Sequence, residues 1–204
     1  MGQIDVGKAY DEIADVWNSD AFDRLNGVKQ HEHALEFCGA RRHALDVGCG
    51  SSGRIVELLL RAGFDVEGVD LSSRMIELAA RRHPQVTFHH ADICDWPFPR
   101  HYDLISAWDS VWHVPLAEHE KVLRRMLGHL TPGGVCIFTM GGLDQAAEKS
   151  DSVMGPEMPY STLGIPRTLE LVTRAGCVCR HLEYDQHPEQ HVYLIVQRHH
   201  KAAE

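Results

Sequence analysis

The chain has 204 residues, 44% apolar and 24% charged, the composition of a globular protein large enough for one core. Its 20 lysines and arginines stand against 29 acidic residues, a formal charge of −9 that disfavours a nucleic-acid binder, which needs a dense basic surface. No apolar run reaches the roughly 18 residues of a membrane helix, and the start, MGQIDVGKAYDE, lacks the basic and apolar regions of a signal peptide, so a cytoplasmic location without membrane contact is expected.

Six cysteines (Cys38, Cys49, Cys94, Cys136, Cys177, Cys179) sit far apart inside apolar segments, the pattern of reduced core residues. No His/Cys/Asp cluster has metal-ligand spacing, so no metal is expected. The basic pairs Arg41-Arg42, Arg81-Arg82 and Arg124-Arg125 read as solvated charges at helix ends or on helix faces. Protonating all fifteen histidines moves the formal charge from −9 to +6, so charge-dependent behaviour is expected between about pH 5 and 7.

Taken in order, residues 5–17 and 22–38 carry apolar residues at helical spacing and form N-terminal helices. HALDVG (43–48) is a first strand ending in glycines, and RIVELLLRAG (54–63) a helix stopped by Gly63. FDVEGVD (64–70) is the second strand, and SSRMIELAARRH (72–83) a helix with a serine N-cap. VTFHHAD (86–92) and YDLISAW (102–108) are strands three and four, followed by a helix over 115–130 opened by proline. The turn TPGG (131–134) leads into strand five, VCIFTM (135–140). A long irregular segment (141–164) precedes a helix at about 166–175 and two strands, 177–184 and 190–198, joined without a helix and therefore antiparallel. This alternation predicts one α/β domain over 1–204, a doubly wound Rossmann-like sheet with helices on both faces. Cover helices occupy 1–40, a cofactor-binding half 41–140, and an acceptor-side loop, helix and edge hairpin 141–204.

Gly48-Cys49-Gly50-Ser51-Ser52-Gly53 matches G-x-G-x-x-G between a strand and a helix, with Asp70 about 20 residues beyond Gly50. By that rule the turn binds a dinucleotide, although glycines also serve tight turns without any ligand. Asp46, two residues before Gly48, separates the cofactors. A pyrophosphate on this turn meets Asp46 as a like charge, whereas S-adenosylmethionine has no phosphate and carries a sulfonium and an ammonium. Asp46 therefore favours the methyl donor.

These residues resemble the class I S-adenosylmethionine-dependent methyltransferases over about residues 10–198. LDVGCGSSGR (45–54) is similar to the family's first motif, with the third glycine one residue late at Gly53 rather than Ser52. VEGVDLS (66–72) is similar to the second, HADICDWPF (90–98) to the third, and LTPGGVCIF (130–138) to the turn after strand four. The resemblance implies a seven-stranded sheet of order 3-2-1-4-5-7-6 with strand 7 antiparallel. It also implies ribose binding by Asp70, adenine contacts from Leu71, Asp92 and Ile93, and closure over the methionine end by Tyr10 and Trp17 of AYDEIADVW. Gly48, Cys49, Gly50, Met75 and Trp108 complete the expected cofactor set with Asp46. Asp70 also reads as a strand-end cap, Asp92 as a turn residue, and Tyr10 and Trp17 as a stripe packing their helix on the domain.

Methyl transfer needs water excluded, an aligned nucleophile and an unprotonated attacking atom. Ligands of open α/β sheets bind outside the carboxyl ends of the strands, which places AWDSVWHVP (107–115) at the reacting centre. His113 is the first candidate to take or orient the acceptor's proton and Asp109 the second; a lid or helix-start contact and a turn cap are their structural alternatives. Met154, Met158 and Tyr160 are candidates for an apolar acceptor wall, and His187 and His191 are taken as non-catalytic. The Asn/Asp-Pro-Pro-Tyr signature of amino-directed nucleic-acid methyltransferases is absent after strand four, where Ala107-Trp108-Asp109-Ser110 stands. A small-molecule acceptor is expected, acted on by a monomer or homodimer. An RNA- or protein-directed enzyme and a non-catalytic cofactor-binding protein are the alternatives.

Overall fold

Short apolar runs alternating with amphipathic helices fold as parallel strands covered on both faces. The structure, a computed structural model, describes residues 5–19 and 23–200. Seven strands, β1 (His43–Val47), β2 (Asp65–Asp70), β3 (Thr87–His90), β4 (Tyr102–Ala107), β5 (Leu130–Gly141), β8 (Cys177–Glu183) and β9 (His191–Arg198), form one sheet of order β3-β2-β1-β4-β5-β9-β8. The first five are parallel, and β9 runs antiparallel to both β5 and β8. Counting only the strands of this sheet, the order is the expected 3-2-1-4-5-7-6.

Helices α5 (Leu116–Gly128) and α6 (Ile165–Arg174) bury Val122, Met126, Leu127 and Leu171 against Leu45, Ile105 and Phe138 on one face. On the other face, α2 (Val28–Glu36) and α3 (Arg54–Arg61) bury Leu35, Ile55 and Leu59 against Ala44, Val66 and Leu104. Each such aliphatic side chain contributes about 1.5–3 kcal/mol by leaving water. All six cysteines are free, and none is exposed. Among the described residues no helix is long and apolar enough to cross a membrane.

Two further helices frame the carboxyl ends of the strands. Ser72 caps α4 (Ser73–Arg82) by accepting the Met75 N–H at 3.0 Å, and Asp5 caps α1 (Val6–Trp17) through Lys8. Asp11 of α1 accepts the Arg74 N–H at 2.9 Å and the Ser72 hydroxyl at 2.5 Å, which pins α1 over the positive N-terminus of α4.

Three expectations are corrected. The second helix begins at Val28 after a turn, and residue 22, where the periodicity starts it, lies outside the described residues. TPGG is absorbed into β5, whose pairing with β4 shifts register between Tyr102 and Leu104. The irregular segment 141–164 contains an antiparallel hairpin, β6 (Ala147–Asp151) and β7 (Met158–Thr162). Its first strand, AEKSD, has no buried residue and no apolar alternation to betray it.

Candidate functional site

A cavity of about 720 Å³ opens at the carboxyl ends of the central strands, the size and place of a small-molecule site in this architecture. Its floor is the turn between β1 and α3. Gly48 has φ +67°, and a Cβ there would lie 2.3 Å from the Ser110 side chain. Gly53, also at φ +67°, leads into α3, where a Cβ would lie 2.4 Å from His83 Nε2. Left-handed backbone and close packing thus fix the displaced third glycine at 53. Ser52 meanwhile accepts from Arg54 Nη1 at 2.8 Å.

At the end of β2, Asp70 accepts the Gly50 N–H at 2.9 Å with one carboxylate oxygen and the Ser72 N–H at 2.8 Å with the other. Two further acceptor positions remain on that carboxylate. Burial pushes its pKa up, against those backbone donors. After β3, Asp92 accepts the Cys94 N–H at 2.8 Å, and Arg125 donates to the Ile93 and Cys94 carbonyls at 3.0 and 2.7 Å. Arg125 is therefore the brace of the third-motif loop, a correction to its reading as a solvated charge. Cys49, Leu71 and Met75 also line the cavity. Ser51, which the motif left unassigned, lines it with a buried hydroxyl that has no hydrogen-bond partner.

Asp46 alone of the expected cofactor residues stands behind the wall. It is 3% exposed, and burial pushes its pKa up to about 7 against a hydrogen bond from Ser106 and the charge of Arg54. The like-charge argument drawn from its position in sequence took it to the surface of the turn, whereas it is buried and does not line the cavity.

From above, Tyr10 and Trp17 of α1 close the cavity, their rings 6.3 Å apart. His113 lies in a short 3-10 turn, Val111–His113, after β4. Its Nε2 is 3.1 Å from Trp112 Nε1 and 2.8 Å from the Tyr10 hydroxyl, and its Nδ1 is 2.8 Å from the Pro159 carbonyl. An indole only donates and a carbonyl only accepts, so the ring is neutral with its proton on Nδ1. Burial pushes its pKa down, only partly offset by Pro159. The lone pair is already engaged, which makes His113 a brace between the cover helix and β7.

Asp109 has φ +53°, unusual for a residue other than glycine, and its N–H donates to Thr139 at 2.8 Å. One carboxylate oxygen accepts from Asn26 Nδ2 and the other from His191 Nε2, both at 3.0 Å. His191 Nδ1 lies 2.5 Å from Asp185. Two carboxylates can only accept, so His191 is an imidazolium. Burial lowers its pKa, but the two carboxylates outweigh that and the value ends above the ordinary one. His191 thus enters the site through Asp109, while His187 is exposed; sequence alone gave no sign of this, because the partners are 82 residues apart.

Trp108 and Tyr160 line the cavity, as do Glu148 and Lys149 of the hairpin, which no motif marked. Met158 is fully buried and Met154 does not reach the wall, so neither forms the apolar acceptor surface expected of them.

The family model described as a methyltransferase domain matches residues 44–134. Over 135 residues the chain is 31% identical to the dTDP-3-amino-3,6-dideoxy-alpha-D-glucopyranose N,N-dimethyltransferase of Streptomyces fradiae, covering 62% of this chain and 52% of that protein. It is 38% identical over 118 residues to the trans-aconitate 2-methyltransferase of Delftia acidovorans, covering 55% and 42%. The chain thus spans about half the length of the curated relatives it matches. Among solved structures, a sugar N-methyltransferase from Streptoalloteichus superposes with a TM-score of 0.70 at 20% identity, covering 98% of this chain and 96% of that one. A 1,6-didemethyltoxoflavin-N1-methyltransferase from Burkholderia thailandensis gives 0.71 at 18%, covering 96% and 86%.

Proposed function

We propose that the chain is a class I S-adenosylmethionine-dependent methyltransferase that transfers the methyl group of S-adenosylmethionine to a small-molecule acceptor, a reading supported by the methyltransferase-domain match over residues 44–134. The observation that carries this reading is the division of one cavity. One half holds the Asp70 carboxylate, with acceptor positions to spare, and the orphaned Ser51 hydroxyl; the other continues past β4 beneath the hairpin. Such a donor and acceptor set suits a nucleoside with two ribose hydroxyls, and the remaining space suits a second small molecule.

When bound, the cofactor supplies an electrophilic methyl carbon on a sulfonium. The chain's residues do the rest. Asp70 takes the ribose hydroxyls, and the third-motif loop, held by Arg125, receives the adenine edge. Tyr10 and Trp17 exclude water, and His113 holds Tyr10 in place. Asp109 orients the acceptor at the end of β4, where a rigid sheet edge supplies alignment. The names of the relatives carry two acceptor chemistries, an amino sugar and a carboxylate. The formal charge of −9 supports a small molecule over RNA.

Isothermal titration tests the cofactor. S-adenosylhomocysteine should bind more tightly than NAD, and the reverse order overturns the proposal.

A further inference from the structure

The cavity wall is acidic. Asp5, Asp70, Asp92, Asp109 and Glu148 line it against Arg54 and Lys149. Both cations are engaged: Arg54 donates to the Asn26 carbonyl at 2.7 Å and to Ser52, while Lys149 Nζ lies 3.1 Å from Asp151 and 5.2 Å from the centre of the Tyr160 ring. Asp70 and Asp92 stand at the ends of β2 and β3, on the nucleoside side. Asp109 stands at the end of β4, on the acceptor side.

Asp109 is held there by an unusual arrangement. A left-handed backbone turns the residue, and Asn26 and His191 each occupy one of its oxygens, leaving each oxygen a further acceptor position. Strain of this kind persists where the surroundings enforce it. His191 shares its charge with Asp185, and the Arg54 guanidinium adds its charge near Asp109, but over the whole wall five carboxylates face two cations. Tyr10, Trp17, Trp108 and Tyr160 line the same cavity, and the faces of aromatic rings attract cations.

Building on the methyl-transfer reading, we infer that the acceptor is an amine, drawn in as its ammonium by Asp109 and the surrounding aromatic rings, and that polycarboxylates are refused. A carboxylate acceptor needs cationic partners, and this wall offers it carboxylates instead. The amine enters protonated and releases one proton to solvent. Its lone pair then forms the N–C bond as the S–C bond breaks, with that bond's electron pair passing to sulfur. The proton left on the methylammonium product departs with it or is lost to solvent.

The test uses the intact chain and three titrations followed by tryptophan fluorescence, since Trp17 and Trp108 line the cavity. Titration with S-adenosylhomocysteine comes first, and its failure would strike the cofactor reading alone. Cyclohexylamine and cyclohexanecarboxylate are then titrated separately at pH 7.5, with and without saturating S-adenosylhomocysteine. The amine should bind at least about tenfold more tightly, the discrimination expected of one charge-assisted contact. Asp109→Asn should reduce that preference to about threefold or less while S-adenosylhomocysteine affinity stays within about twofold. Equal affinities, a preference for the carboxylate, or no saturable binding of either probe overturns the inference. The wild-type comparison stands even if the variant does not fold.

Discussion

The two halves of the cavity are built in opposite ways. On the nucleoside side, backbone turns close to one another in sequence do the work: Asp70 reaches the Gly50 N–H from 20 residues away and the Ser72 N–H from two. On the acceptor side, side chains from distant segments converge. Tyr10 meets His113 across 103 residues, Asn26 meets Asp109 across 83, and Gln30 meets Asp185 across 155. A site made of backbone tolerates change in the elements around it, whereas a site made of buried side-chain charges depends on every partner being present.

The acceptor side is hurt most by removal of its imidazolium. His191→Leu leaves the Asp185 carboxylate, 6% exposed, and Asp109, 20% exposed, without their shared cation. Removing one partner of a buried ion pair costs about 3–5 kcal/mol, and urea denaturation should show a loss of that order. Because the folded pKa of His191 is raised, its stabilisation is complete below the ordinary histidine value of about 6.5 and is lost as pH rises through the folded value. The difference in stability between wild type and variant should therefore be larger at pH 6 than at pH 9; a difference independent of pH would mean that the ring is neutral in place.

On the nucleoside side the expected effect is smaller and falls on binding. On the proposed binding of two ribose hydroxyls by Asp70, Asp70→Ala should weaken S-adenosylhomocysteine by about 1.5–3 kcal/mol, roughly tenfold to over a hundredfold. Unchanged affinity in a folded variant would leave Asp70 as a cap for Gly50 and Ser72 only.

The same contrast explains what could be read from the chain. Gly48, Gly50 and Asp70 follow from local turn chemistry and the α/β class from strands alternating with helices, whereas the sheet order and Asp92 came from the family resemblance. The β6–β7 hairpin was hidden because β6 is polar and without a buried residue, so it lacks the period of two. Asp46 does not line the cavity, which its distance from Gly48 in sequence does not reveal. His191 was invisible as a site residue since its meaning lies in Asp109 and Asp185, which pattern reading does not pair. The charge swing expected of fifteen histidines is also curtailed in the folded chain. Burial pushes the pKa of His31 down to about 4 and lowers those of His83, His113 and His119, so these rings resist protonation.

The smallest effect concerns His113, which borders both halves. With Nε2 facing Trp112 and Tyr10 and Nδ1 donating to Pro159, the ring ties α1 to β7, and the role proposed for it is to hold α1 over the cofactor rather than to take a proton from the acceptor. Tyr10→Phe removes one hydrogen bond and should cost about 0.5–1.5 kcal/mol in S-adenosylhomocysteine affinity. His113→Ala should cost at least as much, because Trp112 and Pro159 lose their partner too. Burial keeps the native ring neutral, so its favourable contribution is present above the ordinary histidine value and is lost as pH falls through the depressed folded one, the opposite sign to His191. Cofactor affinity should accordingly hold level from pH 8 to 6.5 and decline only in more acidic solution. A His113→Ala variant that binds S-adenosylhomocysteine as tightly as wild type, yet has lost methyl transfer to an amine, would return His113 to the role of base.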